Sequence, residues 1–149
     1  MESYLFALAL LSTSMNVSPT DIHCMAEAIY FESRGEPLLG QIAVGNVIIN
    51  RVSSNRFPNT ICKVVHQGVR WKGHIVRNKC QFSYYCDGIP ETIKDAEAYV
   101  LASRVAVDVL INIPQVMLTA LHYHSIDVSP AWSYEYKYIG RIGKHEFYE

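Results

Sequence analysis

SPTDIHCMAEAIYFESRGE, Ser18 to Glu36, reads as one amphipathic helix that carries an acid to a cleft. Ser18 suits the N-cap, Pro19 the first helical position, and Asp21 places negative charge in the positive first turn. Ile22, Met25, Ala26, Ile29 and Tyr30 then recur at the spacing of a helix that buries one face, and Gly35 with Pro37 ends it. At about 100° per residue, Glu27 falls on the far side from this stripe, whereas Glu32 falls at its edge and is expected to be half-buried. Glu32 also stands in the last turn, where free carbonyls and the negative end of the helix dipole disfavour a carboxylate. Partial burial acts in the same direction, and both favour the protonated form that a general acid needs near neutral pH. The plainer alternative is a solvated surface glutamate.

Length and composition set the frame around that helix. With 149 residues, 50% of them hydrophobic, the chain suits one domain over 1–149, an apolar segment 1–17 preceding a core of 18–149. A formal net charge of -1 argues against a general nucleic-acid binder. The charge is uneven, however: no acid lies between Glu36 and Asp87, while Arg51, Arg56, Lys63, Arg70, Lys72, Arg77 and Lys79 all do. That interval predicts a basic face able to steer an anionic polymer, or a merely solvated surface. The apolar run from Tyr4 to Leu11 is about half a membrane span and lacks a basic flank, so it is read as a helix lying on the core rather than an export signal. Cys24, Cys62, Cys80 and Cys86 show no CxxC pair or zinc-ribbon spacing; a buried free thiol is expected for Cys24, and in an oxidising compartment four cysteines could pair in three ways.

Downstream, LLGQIAVGNVIINRV (Leu38–Val52) predicts a second helix burying Leu38, Ile42, Val44, Val47 and Ile48, with Gly40 and Gly45 allowing close approach of a neighbour. NRFPNT is turn chemistry, and Thr60 suits the cap of a short helix through Val65. Gly68 to Cys80 reads as a long surface loop. QFSYYCDG gathers Gln81, Ser83, Tyr84 and Tyr85, amides and hydroxyls among rings, as suits a sugar cleft or equally a half-buried strand. Glu91 to Asn112 returns to helical composition until Pro114. In the tail His122 and His124 alternate on a strand with Tyr123 opposite, and Trp132, Tyr136 and Tyr138 are candidates to stack on sugars or to close the core. His122, His124 and His145 lack completing carboxylates or thiolates, so no metal and no cofactor is expected. The class is α+β, mainly α, with a small β element near the C-terminus.

Two blocks, AEAIYFESRGEPLLGQIAVGNVIINRV (Ala26–Val52) and RFPNTICKVV (Arg56–Val65), resemble the SleB/CwlJ cell-wall hydrolases, spore-cortex-lytic enzymes with relatives among phage lysins. Gln81-Phe82-Ser83 is similar to a further segment of that family, and HYHSIDVSPAW with IGKHEFY to its C-terminal signature. The matching blocks keep the family's order from Asp21 to Tyr148. The resemblance implies a lysozyme-like domain that cleaves the glycan of peptidoglycan as a lytic transglycosylase, with Glu32-Ser33 matching the Glu-Ser pair of the wider superfamily. It implies Glu32 as the catalytic residue and Ser33, Gln81, Ser83, Tyr84, Tyr123, His124 and Trp132 as glycan contacts. Phe31, where a small residue is common in the family, and the Gly-poor QVMLTALHYH bear on the shape of the cleft.

The partner implied is a peptidoglycan strand, met at the bacterial wall by a monomer without a stable membrane span; a small phage lysin released with a holin's help fits that picture. A hydrolytic muramidase would instead need a second carboxylate, for which Glu36, Asp87 and Asp127 are the candidates. A non-catalytic peptidoglycan-binding module and a purely structural interaction protein are the remaining alternatives.

Overall fold

The computed structural model describes residues 17–112 and 114–149, so the apolar segment expected as a helix lies, but for Val17, outside the described residues. Helix α1 (Pro19–Ser33) begins as its sequence dictates: Ser18 accepts from the Asp21 amide, and Asp21 accepts in return from the Ser18 amide. It ends at Gly35, whose φ of 84° is open to glycine without penalty. Met25, Ala28, Ile29 and Tyr30 are fully buried, because α1 is packed on α2 (Leu38–Ser53), α3 (Ile61–Val65) and α4 (Ala96–Ile111).

Gly45 is where α2 meets α4; a Cβ there would stand 3.1 Å from a Val109 methyl. Of the apolar positions assigned to α2, Leu38 is 54% exposed, lying in the first turn outside the helix contacts. The same helix carries polar groups inward. Asn46 donates to the Pro114 carbonyl and accepts from the Val116 and Met117 amides, Asn50 donates to the Met117 and Ala120 carbonyls, and Arg51 Nε donates to the Leu121 carbonyl. An irregular connector with no ladder of its own is thereby satisfied by one row of side chains.

That connector feeds β3 (His122–Ser125), the edge of an antiparallel sheet ordered β3-β5-β4, with β4 at Tyr138–Ile142 and β5 at His145–Tyr148. Phe147 joins the sheet to α2 in a small cluster with Ala43, Val47 and Ala120.

Several sequence expectations change. Gly68 to Cys80 is not a loop but a hairpin, β1 (Gly68–Trp71) and β2 (His74–Cys80), turned by Lys72 at φ 48° and Gly73 at φ 82°. Two positive φ values suit the right-handed twist of a hairpin, and a ribbon exposed over most of its length shows no apolar alternation to reveal it. Ser83–Cys86 is a single 3₁₀ turn rather than a strand. The last helix starts later than composition suggested, at Ala96, with Asp95 accepting from the Ala98 amide as its cap. Cys24 is no free thiol: it is bonded to Cys62, tying α1 to α3, while Cys80 is bonded to Cys86 across the 3₁₀ turn. No described helix is long and apolar enough to cross a membrane.

Candidate active site

Glu32 is set in the last turn of α1, where no basic side chain offsets the dipole. The Tyr123 hydroxyl, arriving from β3, donates to its Oε2 at 2.8 Å. Burial pushes the carboxyl above the ordinary glutamate range, against the Tyr123 hydrogen bond and the charge of Arg51, which pull it down. The net result is an acid that holds its proton better than a surface glutamate and has a donor and a cation in place for the moment it loses it.

Arg51, expected on a solvated basic face, is instead buried at 5% exposure. Its guanidinium lies over the rings of Phe57 and Phe82, at 4.8 and 5.4 Å from their centroids. Burial lowers its pKa while Glu32 and Tyr123 act to raise it. The signal was in the sequence: Arg51 follows Val47 and Ile48 at i+4 and i+3, on the buried side of α2. The other basic residues of that interval, Arg56, Lys63, Arg70, Lys72, Arg77 and Lys79, are exposed.

Tyr84 forms the next wall. Its ring stacks on Phe31 at 4.9 Å, and its hydroxyl donates to Glu27 Oε1 at 3.4 Å. Glu27 is therefore not on a free outer face: Tyr84 covers it, and burial raises its pKa despite the nearby His23. Burial and the two glutamates push the Tyr84 phenol far above its ordinary range, so it acts as a donor and not as a base.

The remaining expected contacts are distributed unevenly. Gln81 and Ser83 are exposed beside Tyr84. Ser33 is buried, and its hydroxyl donates to the Ile29 carbonyl at 2.8 Å, which turns it into the helix and away from solvent. His124 faces the other side of β3 from Tyr123, with Nε2 3.0 Å from the Tyr148 hydroxyl and Nδ1 2.7 Å from the Ser125 carbonyl. Trp132 packs there too, between His122, His124, Tyr136 and Tyr148. Ser33, His124 and Trp132 are thus engaged within the fold, whereas Tyr123 is bonded to Glu32 and Tyr84 is near enough for the Glu32 charge to act on its phenol. Burial, with Arg51 and Arg56 nearby, brings His122 down to about 4, so it is neutral at neutral pH.

The three candidate second carboxylates are each held elsewhere. Glu36 Oε2 accepts from the Lys144 amide at 3.0 Å, Asp87 Oδ1 from the Ile89 amide at 2.7 Å, and Asp127 Oδ2 from the Ser125 hydroxyl at 3.2 Å. Among the described residues, the charge that bears on Glu32 is that of Arg51, not of another acid. The arrangement offers one proton-carrying carboxyl with a phenol donor, beside an aromatic wall.

A family model described as Cell Wall Hydrolase matches residues 35–148. The spore cortex-lytic enzyme of Bacillus cereus is 34% identical over 134 residues, which span 87% of this chain and 44% of that protein; the enzyme of Bacillus subtilis is 30% identical over 136 residues, 89% of this chain and 38% of that one. The chain therefore spans less than half the length of these relatives. The catalytic domain of the germination-specific lytic transglycosylase SleB from Bacillus anthracis superposes with a TM-score of 0.69 and 35% identity, over 90% of this chain and 98% of that domain. The catalytic domain of the Bacillus cereus SleB protein gives 0.67 and 34%. The α+β fold described above is the fold of these domains.

Proposed function

The chain belongs to the cell wall hydrolase family, and from that premise we propose that it cleaves the glycan of peptidoglycan as a lytic transglycosylase, with Glu32 as its one catalytic residue. The observation that carries the reading is Glu32 itself, raised by burial yet bonded by Tyr123, with no second acid among the described residues acting on it. A retaining or inverting hydrolase places two carboxyls roughly 5 to 9.5 Å apart across the bond. A transglycosylase needs one.

In the proposed sequence the Glu32 carboxyl gives its proton to the oxygen linking N-acetylmuramic acid to N-acetylglucosamine, and the C1–O bond breaks. The muramyl C6 hydroxyl oxygen then bonds to C1, its proton passes to the Glu32 carboxylate, and a 1,6-anhydro ring closes. No water is consumed, and the acid is regenerated. Tyr123 and Arg51 stabilise the carboxylate between the two transfers, in a site whose burial strengthens both contributions. Tyr84, Gln81 and Ser83 border the sugar path.

Mass spectrometry of digested peptidoglycan tests the reading: anhydromuramyl ends are expected from the wild type and no product from Glu32→Gln, which should still bind the wall. Reducing ends would favour a hydrolytic muramidase; unchanged function in Glu32→Gln would favour a binding module. The finer expectation, a monomeric phage lysin released to the wall through a holin, extends this proposal and rests on the sequence resemblance alone.

A further inference from the structure

Beside the acid, and sharing its Tyr84 wall with the proposed sugar path, a cavity of about 180 Å³ lies between the end of α1 and the segment that leads to α4. Phe31 and Tyr84 line it, so it begins one residue from Glu32. Its rim carries two cations, Arg34 and Lys94, and two anions, Asp87 and Glu91. None of the four forms an ion pair within 4.0 Å among the described residues.

The walls are fixed before anything binds. The buried Tyr30 hydroxyl accepts from both the Lys94 and Asp95 amides at 3.1 Å, fastening the far wall to α1. On the near side the Cys80–Cys86 bond, the Asp87 contact with the Ile89 amide and the donation of Arg77 Nε to the Asp87 carbonyl hold the turn. Neither Lys94 nor Glu91 contributes a side-chain hydrogen bond to this scaffold. Arg34 is seated over the Tyr30 ring at 4.5 Å and Asp87 on the Ile89 amide, which leaves Lys94 and Glu91, one charge of each sign, without a side-chain partner among the described residues. Such a rim suits a ligand that brings both signs of charge.

The volume narrows the choice. It is below the roughly 300 Å³ at which sites for drug-sized ligands begin, which fits one amino-acid-sized group better than a disaccharide. The glycan that would lie over Glu32 carries such groups where its muramyl units bear a short peptide with carboxylates and a free amine. Resting on the activity proposed above, we infer that this cavity is a subsite for the peptide branch of peptidoglycan, taking a zwitterionic amino-acid group with its carboxylate toward Arg34 and Lys94 and its ammonium toward Asp87 and Glu91. The enzyme then reads the branch as well as the sugar backbone, and cleaves beside peptide-bearing muramyl units in preference to bare ones.

Two measurements test this. In the first, wild type, Lys94→Glu and Glu91→Gln digest peptide-bearing strands and the same strands stripped of peptide by an amidase. The expected result is a loss of about tenfold in kcat/KM for Lys94→Glu on peptide-bearing strands, with no change on bare ones. Equal loss on both substrates, or cleavage of both by wild type without preference, overturns the subsite. In the second, stem peptide released from the same wall is titrated into the otherwise intact Glu32→Gln protein by calorimetry, with and without Lys94→Glu. Binding weakened about tenfold by the charge reversal is expected; absence of binding overturns the subsite. If the peptide binds in this Lys94-dependent way and no strand is cleaved by wild type, the activity proposal fails and the subsite stands. If anhydromuramyl products form without regard to the peptide, the subsite fails and the activity proposal stands.

Discussion

Tyr123 and Glu32 are 91 residues apart in the chain and 2.8 Å apart in space, the phenol of an edge strand donating to the carboxyl at a helix end. The bond favours the ionised carboxylate, whereas burial favours the neutral acid and prevails. Tyr123→Phe removes the opposing contribution, so the Glu32 pKa should rise further. Because the acid must be protonated to start the reaction, the alkaline limb of kcat/KM is expected to move to higher pH, with a loss of about tenfold at the optimum from poorer positioning. A pH–rate series on purified peptidoglycan measures both.

Glu32 itself costs stability. A carboxyl whose folded pKa lies above its unfolded value binds more protons in the folded state, so stability is greatest below the unfolded pKa of about 4.3 and falls as pH rises through the folded value. Glu32→Gln removes this penalty. Denaturant unfolding should show the variant more stable than wild type above the folded pKa, with the difference shrinking as pH falls toward the unfolded value.

Arg51→Met should do two separable things. It leaves the Leu121 carbonyl without its 2.8 Å donor and removes the guanidinium from over Phe57, at a cost of about 2 kcal/mol or more in chemical denaturation. It also withdraws the positive charge that holds Glu32 down, so the alkaline limb of activity should shift upward. Arg51→Lys keeps the charge and should restore the limb while leaving much of the stability loss.

The two disulfides should differ in weight. Cys24–Cys62 closes a separation of 38 residues and Cys80–Cys86 one of 6, which loop entropy converts to about 4 and about 2 kcal/mol. Replacing the first pair by serine is expected to lower unfolding free energy by roughly twice as much as replacing the second. The second pair, next to Tyr84, should show its larger effect on turnover.

Residues with local chemistry were legible in advance. The Ser18 cap, Pro19, the charge of Asp21 in the first turn, the glycine stop at Gly35, the Thr60 cap and the turn before it depend on neighbours within four positions, and the structure has each where the sequence puts it, adding the return bond from Ser18 to Asp21. Gly45 was readable as a point of close approach, though its contact, Val109, was not. The alternation of His122 and His124 against Tyr123 follows from the period of a strand and holds. The hairpin over Gly68–Cys80 escaped because its exposed strands carry no apolar rhythm, and the inward row Asn46, Asn50 and Arg51 escaped because polar letters in a helix read as outer face.

For the site, the sequence by itself determined that an acid stands in the last turn of a capped, buried helix, since capping, periodicity and the helix dipole are all short-range. Only the tertiary structure decided what surrounds that acid. The donor from Tyr123, the charge from Arg51, the cover that Tyr84 gives Glu27 and the separate anchoring of Glu36, Asp87 and Asp127 are meetings of segments far apart in the chain. A carboxyl's proton affinity follows from the dielectric and the charges within a few ångströms of it, and those neighbours exist only once the helices and the sheet have packed.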